Sequence, residues 1–172
     1  MTTLQFRAPW SGTLRTMTIV VAGILVLATG VATILVSTGL ARPRTSFMIV
    51  LPPLLMAAAL AYRVRGYTLT EDAILVRRLI GDFRLPLAGL LSVSGDVDAM
   101  RGSLRLLGNW GLFSITGRYW NRKLGSYRAF ATDPSRAIVL RYSKETVVIT
   151  PHDPQHFIMR ARTLIKAADF PK

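Results

Sequence analysis

No cysteine occurs in this 172-residue chain, so disulfides, thiolate metal sites and cysteine nucleophiles are all excluded. Acid is missing from the first part of the chain. The first carboxylate is Glu71, and Arg7, Arg15, Arg42, Arg44, Arg63 and Arg65 stand before it unopposed. Charge of either sign is absent from Met17 to Leu40 and again from Phe47 to Tyr62. Ionisable groups inside a membrane span mark transport paths and proton relays, so their absence argues against a channel or a proton-coupled transporter. Histidine is scarce too, with only His152 and His156, and neither phosphate-binding glycine pattern, G-x-x-x-x-G-K-[ST] or G-x-G-x-x-G, is present.

What the chain has in quantity is apolar residues (51%) together with a net charge of +13. A soluble domain rarely combines the two, whereas apolar segments flanked by arginine are how bacterial inner-membrane proteins are written. Met17–Leu40 is 24 uncharged residues, about 36 Å of helix against a hydrocarbon core of about 30 Å. The rival reading, a cleaved signal peptide, asks for an apolar stretch of only about 7–15 residues, and here a second apolar run follows at once. That run, 47–62, is about 24 Å long, short for a crossing, and it contains Pro52 and Pro53, where a kink is expected. The sequence therefore predicts an N-terminal cytoplasmic segment over 1–16, a two-helix transmembrane hairpin over 17–62 (17–40 and 47–62) and a folded domain over 66–172. Arg42 and Arg44 lie in the connecting loop, against Arg7, Arg15, Arg63, Arg65, Arg77 and Arg78 on the other side. The positive-inside rule then places both termini and the domain in the cytoplasm of a multi-pass membrane protein. Trp10 and Tyr62 stand where interfacial aromatics belong.

From Gly66 the hydrophobic period becomes two. Strands are expected over 66–70, 73–80, 83–87, 111–117, 126–132, 137–142 and 146–150, with turns at Glu71-Asp72, Gly81-Asp82, Asp133-Pro134-Ser135 and Ser143-Lys144-Glu145. A helix follows, capped by Asp153 with Pro154 at its first position and with Phe157, Ala161, Leu164, Ile165 and Ala168 on one face. The expected layout is a meander of about seven or eight short antiparallel strands closed by one amphipathic helix.

Tyr67-Thr68-Leu69-Thr70, Ile74-Leu75-Val76-Arg77, Arg84-Leu85-Pro86-Leu87, the Gly-rich stretch with Trp110 and Gly117, Tyr127–Thr132, Val139-Leu140 and Ile149-Thr150-Pro151-x-Asp153-Pro154-x-x-Phe157 together resemble the bacterial PH-like domain families. The resemblance covers about residues 66–168. It implies a membrane-anchored protein with two N-terminal transmembrane helices and a mainly-β, α+β PH-like domain: an antiparallel curved sheet or partly open barrel with a C-terminal capping helix. Eukaryotic phosphoinositide-binding PH domains place cations around their first hairpin loop. Here that loop is the acidic Glu71-Asp72, so no lipid-binding residue is carried over.

Candidate chemistry is sparse. His152 and His156 have the H-x-x-x-H spacing, but a cap at Asp153 leaves the first outside the helix, so they read as surface histidines. Gly108-Asn109-Trp110-Gly111 reads as glycines shaping turns and bulges, and Asp96 and Asp98 as a solvated loop. The basic and aromatic stretch 118–123 stands out: Arg118, Trp120, Arg122 and Lys123, with Arg77 and Arg78, are the candidate ligand-binding residues, and Arg101, Arg105 and Arg128 are cations to consider beside them. No nucleophile with a nearby base and no metal cluster is evident, so the expectation is a non-enzymatic module with no cofactor and no metal. Its expected role is protein interaction or assembly at the cytoplasmic membrane surface, with a protein partner or a second copy of the chain. The alternative is a sensor of an anionic lipid headgroup or small anionic ligand through a loop at 118–123. The bilayer is the expected partner in either case, and a domain tethered this closely to it has restricted access to nucleic acid.

Overall fold

The computed structural model describes residues 3–40 and 47–169, with backbone alone for 109–111 and 166–169. The basic loop carrying Arg42 and Arg44 lies outside the described residues. The chain runs β1 (Leu4–Arg7), α1 (Gly12–Ser37), α2 (Phe47–Ala61), β2 (Val64–Leu69), β3 (Ala73–Arg78), β4 (Phe83–Pro86), β5 (Leu90–Gly95), β6 (Leu104–Leu112), β7 (Ser114–Asn121), β8 (Gly125–Ala131), β9 (Ile138–Tyr142), β10 (Thr146–Ile149) and α3 (Pro154–Asp169).

The strands form two sheets, β1-β2-β3-β4 and β5-β9-β10-β8-β7-β6. The expected single antiparallel meander is corrected here, because β10 inserts between β9 and β8 and pairs parallel to β8 (Val148↔Ala129). A further correction concerns 111–117. It is not one strand but the tip of the β6–β7 hairpin, which turns at Phe113 with φ 65°. The strands at β1, β5 and most of β6 are additional to those expected.

Period-two alternation divides each strand between two interiors. Tyr67, Leu69, Ile74, Val76 and Leu85 of the first sheet meet Leu90, Val93, Phe130, Ile138, Leu140, Val147 and Ile149 of the second. Phe157, Ile158 and Ala161 of α3 close this core. Helix α3 starts as expected: the Asp153 carboxylate accepts the His156 N–H at 3.0 Å, supplying one of the orphan donors of the first turn. Farther along α3, the Arg162 guanidinium donates to the Val93 carbonyl of β5 at 3.0 Å. The opposite face of the second sheet buries Tyr119, Tyr127, Ala129, Ala131, Val139 and Val148 around Leu14 of α1.

A polar knot joins the sheets. The buried Tyr67 hydroxyl donates to the Phe130 carbonyl at 2.5 Å and accepts the Thr150 N–H at 3.1 Å, while Thr150 Oγ1 accepts the Thr132 N–H at 2.8 Å. Burial pushes the Tyr67 phenol up from 10 to about 12, and Tyr119 and Tyr142 are pushed to about 12 by the same cause. The unfolded chain ionises near pH 10 while the folded one holds these protons to about 12. Their contribution is therefore complete below pH 10 and lost as the pH rises through 12. Alkaline unfolding within that window, followed by phenolate absorbance and circular dichroism together, is the expected result. Tyr67→Phe leaves the Phe130 carbonyl and the Thr150 amide without this partner and is expected to cost about 1–3 kcal/mol. In a Tyr62→Phe background, which removes the exposed phenol, full phenolate absorbance at pH 10 with the fold intact would contradict this account.

Three features at the N-terminus lie beyond the sequence reading. Strand β1, before the helices, pairs antiparallel with β2, after them: Phe6 is opposite Tyr67 and Arg7 is opposite Gly66. Ser11 caps α1 by accepting the Leu14 N–H at 3.1 Å, so the helix begins five residues earlier than expected. Its first two turns pack on the domain, with Leu14 only 2% exposed and Thr18 Oγ1 accepting the Phe113 N–H at 3.1 Å.

From Ile19 onward α1 is a column of exposed aliphatic side chains, among them Val20, Ile24, Val26, Leu27, Val31 and Ile34. It is long and apolar enough to cross a membrane, judged on length and composition. Helix α2 is as apolar but only 15 residues long, with Pro52 and Pro53 inside it, so one helix, not two, reaches the length of a span. The two helices pack together, and only Tyr62 and Arg63 separate α2 from β2.

Candidate functional site

The first sheet covers only part of the inner face of the second. Beyond the edge at β4, the inward-facing residues of β8, β7 and β6 look instead at α1 and α2, and a cleft of about 750 Å³ lies between them. Val21 and Leu25 of α1 and Leu55, Ala58 and Ala59 of α2 form its apolar wall. Thr116 and Arg118 of β7, Arg128 and Phe130 of β8, and Leu107, Gly108 and Leu112 of β6 line the sheet side. Tyr62, Arg78 and Phe83 close the end nearest the β3–β4 turn, and that turn is tied to α2 by the Ile80 N–H on the Ala61 carbonyl at 3.0 Å.

Three arginines and a cluster of rings mark the sheet side. Arg118 and Arg128 sit directly opposite each other across β7 and β8, two pairs along from Thr116↔Phe130 and on the same face. The Arg128 guanidinium lies over the Phe83 ring at 5.2 Å, and Phe83 is 4.8 Å from the Phe130 ring. Arg78 is fixed between Tyr62 and Phe83, at 5.6 and 5.7 Å from their centroids, while its Nε donates to the Gly81 carbonyl at 3.0 Å. Such cation–π contacts hold a guanidinium in place without neutralising it. No carboxylate or imidazole is among the described residues that line the cleft.

The structure separates the six residues singled out in the sequence. Arg78 and Arg118 enter the cleft. Arg77, one step along the pleat, points to the other face of the first sheet and pairs with Asp82 at 3.0 Å. The basic and aromatic stretch is not a loop: 118–121 is the end of β7, and the turn proper is 122–124, organised by Asn121 Oδ1, which accepts the Lys123 and Leu124 amides. Lys123 is held by Asp96 at 2.6 Å, and Arg122 is exposed in the turn. Trp120 shares the inward face of β7 with Arg118 but lies farther out, opposite Leu104. Arg128, a secondary candidate, is the central cation.

Phe83, Phe130, Tyr62 and the helix residues escape sequence reasoning. The one signal that could have found Phe130 is the alternation Arg128-x-Phe130, which puts the cation and the ring on one face of β8. His156 is packed edge-on against Phe6 at 5.6 Å, and His152 donates its backbone N–H to the Arg7 carbonyl. Asp98 turns back on Asp96 through its N–H and pairs with Arg101.

The family described as bacterial PH domain matches residues 65–165, more than half of the chain. Neither a curated protein nor a solved structure matches it.

Proposed function

Because the chain belongs to the bacterial PH domain family, we propose that it is a membrane-anchored, non-enzymatic PH module. In this reading α1 and α2 cross the cytoplasmic membrane as a hairpin, and the PH domain binds a protein partner or a second copy of the chain at the cytoplasmic surface.

The observation that carries this reading is the pairing of β1 with β2. One strand precedes the helices and the other follows them, and backbone hydrogen bonds between the two require both on one side of the bilayer. A single crossing by α1 would put them on opposite sides. An even number of crossings, with α2 as the short second span, satisfies the sheet. Length supports it as well: Ile19–Ser37, the part of α1 beyond the domain, is about 28 Å long, close to the hydrocarbon thickness of about 30 Å. Trp10 and Phe113 pack together at 6.2 Å beside the start of α1, and Tyr62 directly follows α2, positions at which interfacial aromatics are expected. Six arginines on the domain side of the hairpin favour the cytoplasm for that side.

The chain has no cysteine, so single cysteines report cleanly on sidedness. Thr3→Cys and Ser143→Cys are both expected to react with a membrane-impermeant maleimide in inverted vesicles and not in right-side-out vesicles. Labelling of the two positions from opposite sides would overturn the hairpin, and labelling of both from outside would reverse its orientation.

A further inference from the structure

We propose that the cleft between the helices and the second sheet is a binding site for one phospholipid of net negative charge. The phosphate is held between Arg118 and Arg128, and an acyl chain lies along Val21, Leu25 and Leu55. The inference rests on the membrane-anchored reading and adds a ligand to it.

Charge distribution is the first argument. Among the described residues Arg77, Arg84, Arg101, Arg136 and Lys123 each have a carboxylate partner; Arg105, Arg122 and several other arginines have none, and neither do Arg118 and Arg128. These two are also direct cross-strand neighbours, with Cβ atoms about 5 Å apart, and like charges in that relation repel. An anion between them turns the repulsion into two attractions, and the planar guanidinium fork suits phosphate oxygens at two points each. Arg78, already committed to the Gly81 carbonyl and the Tyr62 ring, acts as a positioning residue that holds Phe83 beneath Arg128.

Position is the second. The apolar wall begins where α1 leaves the domain and continues two turns into its exposed aliphatic stretch, so the cleft opens along the membrane helices. Edge strand β6 carries the same character, with Leu104, Leu106 and Leu107 59–73% exposed beside it. A soluble phosphate compound would leave the wall bare, and an apolar molecule would leave the cations unmatched. A phospholipid with its headgroup at the interface satisfies both, and its net charge sets the preference, because a zwitterionic headgroup brings its own cation to the arginine pair.

The test uses the full chain in vesicles of equal parts phosphatidylglycerol and phosphatidylcholine. The chain is floated, extracted in mild detergent and examined by native mass spectrometry. About one phosphatidylglycerol per chain is expected to survive extraction, in at least roughly tenfold preference over phosphatidylcholine. Arg118→Gln with Arg128→Gln is expected to abolish that preference, and Arg122→Gln with Lys123→Ala to leave it unchanged. Equal retention of the two lipids by the unaltered chain would overturn the proposal without any variant, as would a preference that survives the double substitution. Failure of the unaltered chain to float would instead sink the anchoring reading, and this proposal with it.

Discussion

Gly66→Val is expected to detach the N-terminal strand from the domain and to lower stability by about 3–5 kcal/mol, the cost of taking a buried phenylalanine out of a core. Gly66 lies in β2 between Arg7 of β1 and Arg77 of β3, where the pairing register shifts. A Cβ there would stand 2.7 Å from the Phe6 carbonyl oxygen, a backbone atom that cannot rotate aside. Valine therefore either distorts β2 or expels β1. Expulsion exposes Phe6, which is buried edge-on against Phe157 at 5.1 Å, and breaks the His152 N–H bond to the Arg7 carbonyl. A loss of this size is a fifth or more of the roughly 5–15 kcal/mol typical of a whole domain, and it corresponds to a fall in melting temperature of more than about 10 °C. Hydrogen exchange should show Leu4–Arg7 unprotected, with Phe6→Ala as a control that loses the ring without the clash. Protected amides at 4–7 together with a native melting temperature in Gly66→Val would show that the close approach is not there.

The same strand alters what truncation is expected to do. On sequence grounds, removing residues 1–65 should release a soluble, β-rich domain. In the structure that cut also takes Phe6 from one core and Leu14 from the other. The fragment is therefore expected to be weakened by an amount like that of Gly66→Val, and to regain stability on addition of a peptide spanning residues 3–10.

Which elements can be read from the sequence follows from how many faces each one buries. Strand β3 and helix α3 each bury a side against one core and alternate accordingly, while β9, buried on both faces at Ile138, Val139 and Leu140, is a short continuous apolar run between turn residues, so pattern alone locates all three. Strand β1 is four residues, Leu4–Arg7, with one buried side chain, and its partner is some sixty residues away. Nothing local distinguishes it from a cytoplasmic tail. Strand β6 is obscured for the opposite reason: Leu104, Leu106, Leu107 and Leu112 are apolar without alternation, because the strand lies at an edge beside α1 and α2. The β6–β7 turn hides because Phe113 takes the positive φ where glycine or asparagine would signal a hairpin. The insertion of β10 between β9 and β8 is a choice of tertiary packing that no period records. At the site, the pleat itself predicts that Arg77 and Arg78 face opposite ways. The pairing of Arg118 with Arg128 needed only the turn at 122–124, which Asn121 announces through its side-chain hydrogen bonds to the turn amides. The role of Tyr62 and the helices could not be read, since it depends on where the hairpin leans.

Gly108→Ala and Gly117→Ala are each expected to destabilise the domain by about 3 kcal/mol or more and to empty the cleft. The two glycines oppose each other across β6 and β7, with φ of 127° and 134°, a region nearly closed to side chains at a cost of about 1–3 kcal/mol. Space adds to that cost. A Cβ on either residue would fall 2.6 Å from the Cα of the other and overlap a carbonyl oxygen, that of Thr116 for Gly108 and that of Leu107 for Gly117. All these atoms are backbone, so the only relief is separation of the strands. The bulges on either side, between Arg105 and Leu107 and between Trp110 and Leu112, give β6 freedom to move away. Because Gly108, Gly117, Leu107 and Leu112 also line the cleft, that movement opens it, and phosphatidylglycerol retention should fall together with the melting temperature. Gly102→Ala is the control: its φ of 64° is strained for alanine, but a Cβ meets nothing within 4 Å, so about 1 kcal/mol and unchanged lipid retention are expected. If Gly117→Ala melts like Gly102→Ala, the two backbones are not in contact and the cleft has a different floor. If it melts far lower, the paired glycines set the depth of the site by letting two strands touch where side chains would hold them apart.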